Sequence, residues 1–267
     1  MIIDLRNTSM TIEEALFMAH PYDTIILDSK TYNEKIRVTI PNLTLIGNKT
    51  IISWDDCNKK IIPESLGGDG VKTYGTTGST TFLVTEEADN FKAEGIAFIN
   101  SHDRTRGMNG DQAVAFKSEC HNIHLKNCQF KSYQDTLYID YGINNLIEDC
   151  YIEGDLDFIF GSADCKFKNC TIYIKHVTGI AYITAPDTLV INDKGFEFEN
   201  CIFTAEDNVE AYLGRAWFPG GAPQPVYPRL SFDNCLFKGN VIFELIQMHK
   251  NDPLNQQSLI MNNCVKE

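Results

Sequence analysis

The chain has 267 residues, of which 43% are hydrophobic and 22% are charged, and its formal net charge is −13. This composition predicts a folded protein with a sizeable core, and no linker divides it, so we expect a single domain over residues 1–267. The negative charge argues against nucleic acid or an anionic membrane as a partner. No apolar run approaches the ~20 residues that a membrane-spanning helix needs.

The N-terminal segment predicts a short capping helix. Residues 11–20 (TIEEALFMAH) begin with a capping box of Thr11 and Glu14, and Pro21 follows them. The segment has neither the basic nor the apolar stretch of a secretory signal, so we expect a cytoplasmic protein, or an exported one given without its signal. Strand-like runs follow at 24–29, 35–40 and 43–47, and we predict loops at 55–78, 101–110 and 216–228.

A strand pattern recurs through the rest of the chain. Each copy is a short alternating strand, then Asn or Asp, then Cys, then a second strand; the six cysteines are Cys128, Cys150, Cys170, Cys201, Cys235 and Cys264. Alternation predicts β structure, and the Asn or Asp suits a left-handed corner. The spacing varies from 20 to 34 residues, as expected for fixed coils with loops of variable length. The pattern predicts an all-β fold, a single-stranded right-handed parallel β-helix with an N-terminal capping helix.

Polar residues repeat within this pattern at a step of 22. Gln112 and Gln134 are 134 − 112 = 22 residues apart, and Asp135 and Asp157 are 157 − 135 = 22 apart. If one coil takes 22 residues, each pair occupies the same place on adjacent coils, about 4.8 Å apart. Two amides and two carboxylates would then share one patch, which we interpret as an active site.

The chemistry of these four residues indicates catalysis. Carboxylates this close cannot both ionise readily, so one becomes an acid and the other, Asp157 or Asp135, stays a carboxylate able to act as a nucleophile. Amide N–H groups of Gln112 and Gln134 can hold an oxyanion. Arg215 would lower the pKa of the carboxylate that it contacts.

Further side chains are candidates for substrate contact. Trp217 and Tyr138 offer flat walls for a sugar ring. The nine cysteines form no CxxC pair, and the six histidines lack ligand-like spacing. We therefore expect buried thiols in a reduced compartment, no metal and no cofactor.

Five sequence blocks, in order, resemble the pectin methylesterase family: TYNEKI (31–36), GDQAVAF (110–116), YQDTLY (133–138), DFIFG (157–161) and YLGRAW (212–217). The resemblance runs from about residue 11 to the C-terminus and implies a right-handed parallel β-helix without a cofactor. Ala216 stands where the family usually has proline, which predicts a looser loop around Arg215 and Trp217.

The resemblance also implies a role for each residue. Asp157 would attack the C6 carbonyl of a methylated galacturonate, and Arg215 would keep it ionised. Gln112 and Gln134 would stabilise the oxyanion. Asp135 would protonate the departing methanol and then activate water. Trp217 would stack on the sugar, and Phe160 and Thr76 would be further substrate contacts.

Two alternatives remain at the level of sequence. Carboxylates about 5 Å apart also suit a retaining glycosidase, and a polysaccharide lyase can share the fold. The other alternative is a non-catalytic carbohydrate-binding solenoid. The favoured partner is pectin or a methylated oligogalacturonide, and we expect a monomer.

Overall fold

The fold is known from a computed structural model, which describes residues 1–106, 110–177, 179–219, 225–253 and 256–267. Parts of two predicted loops, 101–110 and 216–228, therefore lie outside the described residues. The described residues contain two helices, α1 (Ile12–Met18) and α2 (Gly75–Gly78), with a 3₁₀ turn at Glu64–Leu66. The segment from 55 to 78, predicted as a plain loop, thus contains two helical turns.

Short strands make up most of the described chain. In order they are β1 (Ile2–Asp4), β2 (Thr24–Ile26), β3 (Thr31–Tyr32), β4 (Ile36–Val38), β5 (Thr44–Trp54), β6 (Phe82–Val84), β7 (Lys92–Asn100), β8 (Phe116–Ser118), β9 (His124–Lys126), β10 (Gln129–Lys131), β11 (Leu137–Ile139), β12 (Asn145–Glu148), β13 (Tyr151–Gly154), β14 (Leu156–Gly161), β15 (Cys165–Lys168), β16 (Thr171–Ile174), β17 (Ile180–Pro186), β18 (Phe196–Glu199), β19 (Ile202–Ala205), β20 (Glu210–Ala216), β21 (Arg229–Asp233), β22 (Leu236–Lys238), β23 (Val241–Gln247), β24 (Ser258–Asn262) and β25 (Val265–Lys266).

The strands stack into a parallel solenoid. One face is the sheet β4-β6-β8-β11-β14-β17-β20-β23. The other two faces, β1-β2-β5-β7-β9-β12-β15-β18-β21-β24 and β3-β5-β7-β10-β13-β16-β19-β22-β25, merge into one sheet because the long strands β5 and β7 belong to both. Every pairing between named strands within the described residues is parallel, which confirms the predicted β-helix.

The repeated Asn or Asp turns one face into the next. Asn127, Asp149, Asn169, Asn200 and Asn234 have φ between +50° and +55°. Left-handed backbone of this kind disfavours most side chains, and Asn and Asp tolerate it best after glycine. The predicted corner conformation is therefore confirmed.

Inward side chains form ladders along the solenoid axis. Phe198 stacks between Phe167 and Phe232, with ring centroids 4.6 Å and 4.9 Å apart and the rings nearly parallel. The corner cysteines are mostly buried, and their thiols donate to carbonyls of the preceding coil, as from Cys201 Sγ to Phe167 O at 3.4 Å. The core is thus continuous from coil to coil.

Helix α1 covers the first end of the stack, as predicted. Thr11 Oγ1 accepts from Glu14 N at 3.1 Å, and Glu14 Oε2 accepts from Thr11 N at 2.8 Å, which completes the capping box. Ile12 and Ala15 are fully buried in the core. The helix therefore shields apolar side chains at this end of the solenoid.

Asn200 offers a test of the corner conformation, because its side chain is exposed and its φ is +54°. We expect Asn200→Ala to lower the free energy of unfolding by about 1 kcal/mol, since alanine strains this backbone. Asn200→Gly is the matched variant and should be the more stable of the two in urea denaturation. Equal stability of the two variants would contradict a conformational role for this corner.

Candidate active site

A cleft of about 510 Å³ opens on the face that contains β11, β14 and β20. All nine site residues predicted from the sequence line it: Thr76, Gln112, Gln134, Asp135, Tyr138, Asp157, Phe160, Arg215 and Trp217. Thr77, Ala185, Met248 and His249 also line the cleft, and sequence reasoning missed these four. Thr77 lies in α2, Ala185 is near the end of β17, and Met248 and His249 follow β23, all outside the repeated pattern.

The 22-residue step brings the two amides together. Gln112 and Gln134 form a parallel bridge between adjacent coils, with Ala113 N donating to Gln134 O at 3.1 Å. Gln134 is buried, and Gln112 is half-buried. The two residues therefore sit in register on neighbouring coils, as predicted.

A left-handed backbone aims both carboxylates at the cleft. Asp135 lies in a turn before β11 rather than within a strand, and its φ is +65°. Asp157 lies in β14 with a φ of +49°, where the register between β14 and β17 shifts by a bulge. The left-handed turn breaks the alternation that would otherwise send Gln134 and Asp135 to opposite faces.

Arg215 pairs with Asp157 in a two-pronged contact. Its Nε donates to Asp157 Oδ1 at 2.9 Å, and its Nη2 donates to Asp157 Oδ2. Arg215 lies on β20, and its side chain extends across the neighbouring strand β17 toward Asp157. On β17, the guanidinium lies 4.3 Å above the ring of Tyr182. Planar guanidinium groups suit both the bidentate contact and the stacking.

The backbone beside Arg215 depends on a glycine. A Cβ at Gly214 would lie 2.2 Å from Thr184 Oγ1 and 2.6 Å from Thr184 O, so no larger residue fits between β17 and β20. Ala216, which we expected to loosen a loop, instead ends β20 as a fully buried residue paired with Gln247. Arg215 is thus held by a strand.

Burial and charge set different proton affinities for the two carboxyls. Burial, and next the negative charge of Asp157, raise the pKa of Asp135 well above its usual range. Burial also raises the pKa of Asp157, but the hydrogen bonds and charge of Arg215 oppose that rise. The arrangement therefore favours a protonated Asp135 beside an Asp157 carboxylate held by a cation.

A second buried cation lies close to the pair. Arg104 Nη1 donates to Asp155 Oδ2 at 2.8 Å, and both side chains are almost completely buried. The charge of Arg104 opposes the rise in pKa of both Asp135 and Asp157. Sequence reasoning missed this residue, since it comes from a loop with no repeated position.

The amide of Gln112 is held in one orientation. Its Oε1 accepts from Asn58 Nδ2 at 2.9 Å and from Thr76 Oγ1 at 2.5 Å, and its backbone N donates to Asn58 Oδ1 at 3.0 Å. With the oxygen occupied by two donors, the amide N–H₂ group is the part left to act as a donor in the cleft. Thr76, predicted to contact substrate, thus contacts Gln112.

Aromatic rings form one wall of the cleft. Tyr138 and Phe160 stack with centroids 4.0 Å apart and an interplanar angle of 19°, and Trp217 lies 6.4 Å from Phe160. The three side chains pack together with Val114 and Ala185 as a small apolar cluster. A flat apolar wall beside charged groups suits a ligand with one apolar face, such as a sugar ring.

A family model described as pectinesterase matches residues 3–219. The chain belongs to the pectinesterase family. Pectinesterase 31 of Arabidopsis thaliana is 34% identical over 70% of the chain, and the match covers 55% of that relative, so the chain spans about half its length.

Solved structures share the fold. Pectin methylesterase from Yersinia enterocolitica is 26% identical and superposes with a TM-score of 0.81 over 96% of this chain and 90% of that one. A pectin methylesterase variant in complex with a hexasaccharide gives a TM-score of 0.85 at 22% identity, over 99% of this chain and 88% of that one. Among the described residues, no helix combines the length and apolar character needed to cross a membrane.

The pairing of Arg215 with Asp157 makes a prediction about proton binding. Removing the cation by Arg215→Gln should raise the pKa of Asp157 further, because the carboxylate loses its stabilising charge while the neutral acid is little affected. Arg215→Lys keeps the charge and should give a smaller rise. Carbon-13 NMR titration of the aspartate carboxyls measures both, and an unchanged pKa in Arg215→Gln would contradict this account.

Proposed function

We propose that the chain is a carboxylic ester hydrolase that removes methyl esters from C6 of galacturonate units in pectin or methylated oligogalacturonides, with release of methanol. One observation carries the proposal: an Asp157 carboxylate paired with Arg215 shares a cleft with Asp135 and two amides. Family membership supports it, and a solved neighbour of the same fold is described in complex with a hexasaccharide.

Asp157 acts as the nucleophile in the proposed first step. Its carboxylate oxygen attacks the C6 carbonyl carbon and forms a tetrahedral intermediate, whose oxyanion accepts hydrogen bonds from the amide N–H groups of Gln112 and Gln134. Asp135 donates its proton to the methoxy oxygen, so the C–O bond breaks and methanol leaves. The sugar then remains attached to Asp157 as an acyl anhydride.

Asp135 reverses its role in the second step. Acylation removes the negative charge from Asp157, and that charge was one cause of the raised pKa of Asp135. Asp135 can therefore remain a carboxylate and take a proton from water, which attacks the same carbon. The intermediate collapses, Asp157 leaves as a carboxylate, and Arg215 stabilises it again.

The aromatic wall supports a carbohydrate rather than a small ester as the substrate. Trp217, Tyr138 and Phe160 present apolar surface to one side of the reacting groups. With a net charge of −13, the protein has no general attraction for a polyanion, so methylated, and hence neutral, sugar units fit it better than free acids. Action as a monomer, without nucleic acid or membrane, belongs to the same proposal.

The nucleophile assignment gives the decisive experiment. We expect Asp157→Asn to lower methanol release from highly methylated pectin and from a methylated trigalacturonate by a factor on the order of 10⁴, because an amide does not replace the attacking carboxylate. Methanol assays and product sizing separate this reaction from the alternatives, since a glycosidase or lyase would shorten the chain.

Asp193→Asn is the matched control, because Asp193 is exposed and does not line the cleft. It should retain the activity of the wild type. Absence of methanol release from a folded wild-type protein would favour a carbohydrate-binding solenoid, and full activity in Asp157→Asn would refute the mechanism.

The contacts of Gln112 generate a second prediction. In Asn58→Asp, a carboxylate oxygen replaces the amide nitrogen that donates to Gln112 Oε1. Repulsion between these two oxygens favours a flipped Gln112 amide, with its oxygen pointing into the cleft. We expect kcat to fall by about 10²-fold with little change in KM, similar to the loss of one oxyanion donor.

Thr76 supplies a matched pair for the same test. Thr76→Val removes the second donor to Gln112, whereas Thr76→Ser keeps the hydroxyl and should retain more activity. Equal kcat values for the two Thr76 variants, measured by methanol release, would show that this hydroxyl does not orient the amide.

A further inference from the structure

Three side chains with metal-binding atoms converge beside the segment that holds Gln112. They are Cys57, His102 and Asp111, and their donor atoms all lie within 4.8 Å of one another. His102 Nε2 is 3.0 Å from Asp111 Oδ2. Cys57 and Asp111 are buried, while the His102 side chain is 21% exposed, so the group can be reached from solvent on one side.

Neighbouring hydrogen bonds hold the three segments in place. The buried Asn100 donates through Nδ2 to the carbonyls of Asp56, Ser79 and Val114, at 2.9, 3.0 and 3.2 Å. Its Oδ1 accepts from His102 N at 3.1 Å. The Asn100 amide therefore links the backbone beside Cys57 and at His102 to the backbone at Val114, three residues after Asp111.

A second tie joins the Cys57 and Asp111 segments directly. Asn58 N donates to Gln112 O at 2.9 Å, and Gln112 N donates to Asn58 Oδ1 at 3.0 Å. The residues immediately before these two are Cys57 and Asp111. The donor atoms thus stand on backbone that is fixed before any ligand arrives, which lowers the cost of binding.

We propose that Cys57, His102 and Asp111 form a binding site for a divalent cation of the zinc class. Tetrahedral zinc with bond lengths of about 2.0 to 2.3 Å sets its nitrogen and oxygen ligands roughly 3.3 Å apart and its sulfur roughly 3.6 Å from either. The imidazole and carboxylate are already near that spacing. Movement of Cys57 Sγ by about 1 Å toward the other two donor atoms brings it to the spacing of a zinc ligand.

The donor set selects the metal. A thiolate and an imidazole favour zinc or cobalt over magnesium or calcium, which prefer oxygen ligands. Three protein ligands leave the fourth tetrahedral position to a water molecule on the side where His102 is exposed. Sequence reasoning did not detect this site because its residues are 45 and 9 positions apart (102 − 57 and 111 − 102).

Cation binding affects two neighbouring groups. Cys57 binds the metal as a thiolate, with its proton released to solvent. The Lys59 ammonium lies 3.2 Å from Asp111 Oδ1, and its side chain is 35% exposed; cation binding here requires this ammonium to be displaced from Asp111. Asp111 can then bind the metal through Oδ2.

Metal titration of the whole chain tests the proposal. Protein stripped with a chelator is titrated with Zn²⁺ against a chromogenic competitor, and with Co²⁺ while thiolate-to-cobalt absorption is recorded. We expect one zinc per chain, a thiolate band with cobalt, and no comparable binding of Mg²⁺. Cys57→Ser and His102→Gln should each weaken zinc binding by at least about 10-fold.

Cys264→Ser is the control, because Cys264 is the one described cysteine that is not buried. It should bind zinc as tightly as the wild type. Circular dichroism confirms folding of each variant, and His102→Gln carries the test if Cys57→Ser does not fold. Absence of stoichiometric zinc, or equal affinity in Cys57→Ser, His102→Gln and the wild type, would overturn the proposal. Neither result depends on esterase activity.

Discussion

Backbone hydrogen bonding between successive coils fixes the distances on which the site depends. Where a coil takes 22 residues, residues of that separation face each other across one strand spacing, as the bridge between Gln112 and Gln134 shows. Left-handed corners keep this register by turning the chain at a constant point in each coil. A loop of any length can leave the coil elsewhere without disturbing the pairing. The cleft is thus assembled from several coils whose mutual spacing is set by the backbone and not by the side chains in it.

The electrostatic problem of the site is the burial of two carboxyls side by side. An unpaired buried charge is costly, and two adjacent charges are worse. The two carboxyls therefore have different surroundings. Asp157 has Arg215 in direct contact, whereas burial and the neighbouring charge favour the neutral form of Asp135. This difference in environment lowers the free-energy cost of burying both carboxyls. It also makes one of them a nucleophile and the other an acid, so stability and the proposed chemistry have the same cause.

Sequence reasoning found the residues that obey the repeat. Asp135 and Asp157 were predicted to meet because their separation equals one coil, and the solenoid itself followed from the Asn–Cys corners. The pairing of Arg215 with Asp157 came from a resemblance, since the arginine reaches the carboxylate across an intervening strand. Asn58, Arg104 and Tyr182 were missed because they come from loops or from coils of other lengths, where sequence distance carries no spatial information. The direction of the Asp135 side chain could not be read either, since it depends on a positive φ.

The order of the site along the chain has a consequence for biosynthesis. Each coil contacts mainly its neighbours, so coils can stack as they leave the ribosome, N-terminal first. The coils with Asp135 and Asp157 are complete some 60 residues before Arg215 is made (215 − 157 = 58). During that interval the two carboxyls lack the guanidinium that pairs with Asp157 in the complete fold. Arrival of β20 then supplies the cation that opposes the rise in the pKa of Asp157, so the nucleophile is completed by a coil made after both carboxyls.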